Sequence, residues 1–458
     1  MNWPLAATFL ASLAAAAAGL TLPLSWTIAA ITAVTAAAIT FVRPKAGLGL
    51  LIFSMLLSPE LGLGHAGSRP IAIRGDDILL VMIFLAWMAH TTLKKDMTFL
   101  RTTPAHRPIF LYMALFAVST GIGILRGDIL PLKGFFYVAK YSQYFFVFFL
   151  AVNLTDSRQD VQRALRYAAI TALLVTLYAY QYHYRTGDRT TAPFDDALYG
   201  IRDASEPGTL GGYYIVVFGT IMGLATELPT GALLAAVGLL LFMFPAFLLT
   251  LSRASYAGMG VCVFSVFCLA RRRKFAIACA ACLACGLALC NPAIRQDTAA
   301  RIDVTFHGDK TRQLHNVNLL GYDVQLEDSA AQRVWAWDRI LNRKFPQHPL
   351  LGHGATGIGF EDTQYGSILG EFGLLGLLIF GWLTASVAGM GLHALHAAQQ
   401  PLERGLAIGL VSVLAGLLTH AFTANTFIII KIMEPFWLLA ALVAAISRIN
   451  STPDGALT

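Results

Sequence analysis

The sequence predicts an all-α polytopic membrane protein with about 12–14 transmembrane helices and one large external loop. Composition is the first observation behind this. Of 458 residues, 56% are apolar and only 13% are charged. A soluble domain carries roughly 25% charged residues to cover its surface. The second is that apolar runs recur at the roughly 20 residues a spanning helix needs. The third is the lack of short alternating segments, which a membrane barrel would require.

The runs fall near 4–21, 24–42, 46–63, 77–91, 108–125, 134–153, 165–183, 210–227, 231–250, 255–270, 275–291, 364–391, 405–424 and 427–446. The opening "MNWPLAATFL" has no basic leader region and no clear cleavage site, so it reads as a retained first helix. The chain divides into a helical part at 1–291, a polar loop at 292–363, and three last helices with a short cytoplasmic tail at 364–458. The loop is small for an independent domain, so one or two helices lying over the membrane part, with ordered turns, are expected.

Charge sets the orientation. Short cytoplasmic loops collect Lys and Arg. The compact turn Arg271, Arg272, Arg273, Lys274 therefore goes inside, and so do Arg43, Lys45, Lys94, Lys95, Arg101, Arg107, Arg158, Arg163 and Arg166. The formal net charge of +7 is then explained by topology and anionic lipid, with no nucleic-acid partner. On the external side Arg69, Arg74, Arg126, Arg202 and Arg253 are out of place. Such charges snorkel, pair locally (with Asp76 or Asp128) or mark a substrate path.

All six cysteines lie in two apolar runs, 255–270 and 275–291. Cys279, Cys282 and Cys285 have Ala, Leu and Gly as neighbours, so they read as helix-packing residues and no metal ligands are assigned. Walker A, H-E-x-x-H, nucleophile-elbow and dinucleotide patterns are missing, so no cofactor is expected.

Four constellations can carry chemistry. "GIRDASEPGTLGGYY", at 200–214, places Arg202, Asp203 and Glu206 before a helix whose start favours an anion. It also reads as an ordinary loop. "LLTLSRASYAG", at 248–258, holds Arg253 at a tight membrane turn, where a guanidinium can grip a phosphate or anchor the interface with Tyr256. The stretch 333–380 carries Arg333, Trp335, Trp337 and Arg339, then "FPQHPLLGHGATGIG", then Glu361 and Asp362 at a helix start. Glu371 lies seven residues after Gln364, two turns on along one face, as a site carboxylate or as a hydrogen-bonding partner for a neighbouring helix. The weaker signals are Asp76–Asp77, an external acidic pair or a helix cap, and Lys140, a snorkelling residue or a lipid-phosphate ligand. His315–Asn316 reads as surface.

The order of "IRDASEPGTLGGYY", "LSRASYAG", "RVWAW…FPQHPLLGHGATGIG" and "DTQYGSILGEFGLLG" resembles the O-antigen ligase and polysaccharide polymerase superfamily, over roughly 200–380. The resemblance implies a glycosyltransferase of the bacterial inner membrane, acting on the periplasmic face in surface polysaccharide biosynthesis. Its substrate would be an oligosaccharide on undecaprenyl pyrophosphate. Polymerases extend the next lipid-linked repeat unit; ligases transfer the glycan to lipid A core or protein. A chain-length regulator and a flippase are the implied protein partners. Ligases carry a His-Asn pair at the start of the helix after the large loop. Here Asp362 and Thr363 stand there, which favours a polymerase.

On that reading Arg202, Arg253, Arg333 and Arg339 hold the pyrophosphate without a metal. Asp362 is the candidate base, with Glu206 and Glu371 behind it, and His348 and His353 as upstream substitutes. Direct displacement would invert the anomeric centre. The alternatives from other classes are a lipid-linked glycan transporter or flippase, and a transferase using a polyprenyl monophosphate sugar at Asp76–Asp77.

Overall fold

The computed structural model describes residues 24–66, 69–93, 101–194, 206–273, 314–319, 322–359 and 361–451, with isolated helical positions between 286 and 299. The protein is an all-α polytopic membrane protein. The first apolar run, most of the run 275–291, and Arg202 lie outside the described residues.

The helices are α1 (Leu24–Val42), α2 (Pro44–Leu57), α3 (Gly75–Leu93), α4 (His106–Arg126), α5 (Pro131–Leu154), α6 (Arg158–Thr186), α7 (Pro207–Ala225), α8 (Thr230–Leu248) and α9 (Arg253–Leu269). After the polar loop come α10 (Asp328–Arg339), α11 (Gln364–Ala397), α12 (Pro401–His420) and α13 (Ile430–Ser451). Among the described residues, eight helices are long and apolar enough to cross a bilayer: α3, α4, α5, α7, α8, α11, α12 and α13. Of the spanning segment of α13, 83% is buried inside the protein, against 17% for α8, so α13 is central and α8 faces lipid.

Small residues bring the central helices together, as expected where lipid offers no hydrophobic drive for association. Gly223 of α7 lies against the backbone of Gly405 and Gly409 in α12. Gly258 of α9 lies against the Gly416 carbonyl, and Gly211 of α7 leaves room for Ser255. A side chain at Gly223 or Gly258 would push two backbones apart, and one at Gly211 would displace Ser255.

Two features depart from the sequence reading. The run expected at 46–63 ends as a helix at Leu57, and a hairpin of β1 (Glu60–Ala66) and β2 (Arg69–Arg74) follows. The polar loop holds a second hairpin, β3 (Leu314–Leu319) and β4 (Tyr322–Glu327), ahead of α10. Val317, Leu326 and Ala331 form a small core of their own between that hairpin and α10. Alternating Val and Leu within a polar segment was the period-2 signal for it.

The two ends of the bundle differ in charge chemistry. At one end Lys45 pairs with Asp156 and Asp160, Arg101 with Asp156, Arg158 with Glu403, and Arg404 with Glu227. Arg273 joins them by donating to the Leu228 carbonyl. These are the helix ends that the sequence assigns to the cytoplasm. Arg253, Arg333, Arg339, Asp362 and Glu206 all sit at the other end.

Candidate functional site at the converging helix ends

The site is built where α7, α9, α11 and α13 begin and α12 ends. Arg253 is the first residue of α9. Only four residues separate it from α8, and Leu251 takes a left-handed φ of 48° to make the turn. That conformation is costly for a leucine. Tyr256 ties the junction by donating its hydroxyl to the Leu248 carbonyl. Ser252 caps α9 by accepting from the Ser255 amide at 3.4 Å. The guanidinium is thus aimed off a rigid turn, with its side chain 27% exposed.

Its partner is Glu327, at the end of β4, fully buried. One turn and a half further along, Arg333 of α10 donates from Nε to the Thr423 carbonyl at 3.0 Å, just beyond α12. Burial lowers the proton affinity of the Arg333 guanidinium, and the neighbouring Asp362 carboxylate opposes that while Arg253 adds to it. Arg253, Arg333, Glu327 and Asp362 are therefore one electrostatic group. Asp362 is exposed.

Arg339 makes a fork with Glu361, Nε to Oε1 at 3.0 Å and a terminal nitrogen to Oε2 at 2.6 Å. That bidentate pair raises the Arg339 pKa and holds the end of α10 beside Asp362. Glu206 is exposed at the N-cap of α7, accepting from the Thr209 hydroxyl at 3.3 Å.

Glu371 has a different place. Gln364 and Glu371 share one face, as the spacing predicts, and line a small cavity of about 10 Å³ with Tyr141, Ser367 and Asn425. The carboxylate accepts from the Thr356 amide at 2.7 Å. The reason lies in α11 itself, which breaks at Gly373 (φ 66°, ψ −162°). The "HPLLGHGAT" turn fills that break. Leu374 donates to Pro349 at 2.8 Å, His353 to Gly370 at 3.0 Å, and Gly354 to Glu371 at 2.7 Å, all through the backbone. A methyl on Gly373 would strike the Leu350 carbonyl. Glu371 is the side-chain clasp of this plug. The partner is a turn residue rather than the neighbouring helix that the sequence reading named.

Sequence reasoning missed His420. It ends α12, is fully buried, and uses both ring nitrogens: Nδ1 at 2.6 Å from the Thr426 hydroxyl and Nε2 at 3.2 Å from that of Ser255. It also missed Glu327 and Asn425, whose side-chain amide reaches the Glu361 carbonyl at 2.5 Å. None of these stands in a recognisable motif. His420 lies 167 residues from Arg253 along the chain, and only helix packing joins them.

Among the described residues, the other charges that the sequence assigns to the external side are held by local partners. Arg74 meets Asp76 at 3.0 Å and donates to the Met55 carbonyl. Lys140 binds Asp77 at 2.6 Å, a pairing that the sequence reading did not include. Asp77 also accepts from the Arg74 amide at 2.9 Å, which is the helix-cap arrangement. The acidic pair is consumed by these cations, leaving the monophosphate-sugar alternative without an open carboxylate pair. Arg126 donates to the Gly352 carbonyl at 3.3 Å. His315 pairs with Asp328 and packs on Trp335, so it is a local brace rather than free surface. Cys262 is buried between α9 and its neighbours, while Cys279, Cys282 and Cys285 lie outside the described residues.

An apolar groove of about 130 Å³ runs between α2, α6, α7 and α13, lined by Met55, Leu165, Tyr213, Ile221, Leu438 and Leu442 among others. Gly212 of α7, beside Tyr213, touches Ile432 and faces His420, so the groove's helices are those that bear the site.

Fold and site together define a polytopic helical membrane protein with a half-open arginine–carboxylate group at one end of its bundle. No protein-family model matches the chain, and no curated protein matches it.

Proposed function

We propose that the protein is a membrane glycosyltransferase that polymerises oligosaccharide repeat units carried on undecaprenyl pyrophosphate, at the periplasmic face of a bacterial inner membrane. The observation that carries this is the meeting of Arg253, Arg333 and exposed Asp362 at the end of the bundle opposite the Lys45–Arg158–Arg273 end. The positive-inside rule makes that end external.

The chemistry follows from the charges. Pyrophosphate is a good leaving group once its departing charge is met. Arg253 and Arg333 supply two guanidinia, and the starts of α7, α9, α11 and α13 add the positive ends of four helix dipoles. Asp362, beside Arg333 and open to solvent, is placed to take the proton of an attacking sugar hydroxyl. His420 cannot do so directly, because both its nitrogens are engaged and it is buried; it holds the Ser255 hydroxyl in the first turn of α9. Arg339 and Glu371 are positioning residues, holding the Asp362 segment and the plug of α11. The apolar groove suits a polyprenyl tail. Asp362 and Thr363 at the start of α11, where ligases carry a His-Asn pair, favour a polymerase over a ligase.

The test uses purified protein in lipid with polyprenyl-pyrophosphate oligosaccharide and no nucleotide. Longer chains are expected. Arg253→Ala made together with Glu327→Ala, so that no buried carboxylate is stranded, should cut chain growth by about 100-fold in a folded protein. Translocation of the substrate without any chain growth would overturn the reading.

A further inference from the structure

The sequence places His348 and His353 in His-Pro-Leu-Leu-Gly-His, an H-x4-H spacing. Zinc sites use histidines three to five residues apart. Among the described residues, the ligand atoms of Asp128, His348 and His353 all come within 4.8 Å of one another. Asp128 arrives from the α4–α5 turn, more than 200 residues away in sequence.

The geometry of His353 is the telling part. Its Nε2 lies 3.1 Å from the Lys344 carbonyl, which can only accept, so Nε2 carries the proton. Nδ1 then presents a lone pair, and it faces Asp128 Oδ2 at 3.6 Å. That is too long for a hydrogen bond, and in the neutral ring it sets two acceptors against each other. A backbone carbonyl on the far nitrogen is the arrangement that metal-bound histidines use to fix their tautomer. The His348 ring stands 4.7 Å from the His353 ring, at 70°.

The three side chains differ in freedom. His353 is buried, and its segment is pinned into the break of α11. His348 is half-buried and Asp128 exposed, so these two can close in. In a tetrahedral zinc site the ligand atoms lie roughly 3.3 Å apart. The Asp128–His353 separation is nearly there already.

We propose that Asp128, His348 and His353 bind a divalent transition metal, zinc by ligand type, with water completing the coordination. The metal would bolt the α4–α5 turn to the segment that plugs α11 and holds Glu371. This is a structural bolt, separate from the metal-free pyrophosphate contacts argued above.

The experiment uses full-length protein in detergent, with an affinity tag free of histidine, stripped of metal and titrated with cobalt(II). One equivalent should bind with the visible absorption of tetrahedral cobalt, and zinc should displace it. His348→Ala and Asp128→Ala should each weaken binding at least tenfold while the protein remains monodisperse. His353 is left intact because its removal endangers the fold. Failure to bind one equivalent would overturn the proposal. So would binding that both substitutions leave unchanged, which would point elsewhere, for instance to His393 and His396. The readout needs no glycan substrate, so it stands or falls apart from the polymerase reading.

Discussion

The end of the bundle opposite the Lys45–Arg158–Arg273 end holds two charge clusters built from the same residue types, with opposite consequences. Around Arg74, the side chains of Asp76 and Glu434 are wholly buried and Arg74 itself is 3% exposed. Gln143 bridges Asp76 and Glu434 at 3.3 and 2.8 Å, and Lys140 closes on Asp77. Around Arg253, the guanidinium is part-exposed and Asp362 open. The first cluster locks β2, α3, α5 and α13 together. The second leaves charge facing outward, where an anionic ligand can reach it. Composition does not separate a structural network from a binding site; access to solvent does.

The comparison breaks most sharply at Arg74. Arg74→Ala strands buried carboxylates and should cost about 3–5 kcal/mol, seen as loss of monodisperse protein in detergent and a fall in Tm. If that variant were stable and inactive, the cluster would be functional after all. Asp362→Asn tests the other side. It should slow chain growth by about 100-fold. Its Tm should stay within the shift of about 0.5 kcal/mol usual for a surface change. Equal loss of stability and rate would place Asp362 with the structural network.

Gly373→Ala sharpens the picture of the plug. A positive φ and the Leu350 carbonyl both oppose a methyl there, so about 2 kcal/mol of destabilisation is expected by thermal unfolding. The smallest effect belongs to the opposite end. Lys45, 47% exposed between Asp156 and Asp160, should cost under about 1 kcal/mol on Lys45→Ala and leave chain growth unchanged.

Among the described residues, the eight spanning helices were legible to within six residues at each end, because spanning length is set by bilayer thickness and shows in one dimension. Arg253 was legible as a misplaced charge between two apolar runs, while Arg333 and Asp362 were legible only through the order of motifs across 333–380. Glu327 and His420 were not. Their meaning comes from partners 74 and 165 residues distant, and neither lies in a local pattern. The β3–β4 hairpin was overlooked because a short alternating stretch carries little signal beside runs of 20 apolar residues.

The sequence by itself determined the class, a helical protein that crosses the membrane several times, and which segments are apolar enough to cross. These depend on what each segment does when transferred from water to lipid, a property of the segment alone. Tertiary structure decided which of the charges at the end opposite Lys45 are buried in pairs, as Arg74 and Asp76 are, and which keep access to solvent, as Asp362 does. It also decided that Glu371 serves the plug of α11. Pairing between helices depends on close approach of backbones at glycines such as Gly211 and Gly258, and on burial. Both are relations between distant segments, which no local pattern records.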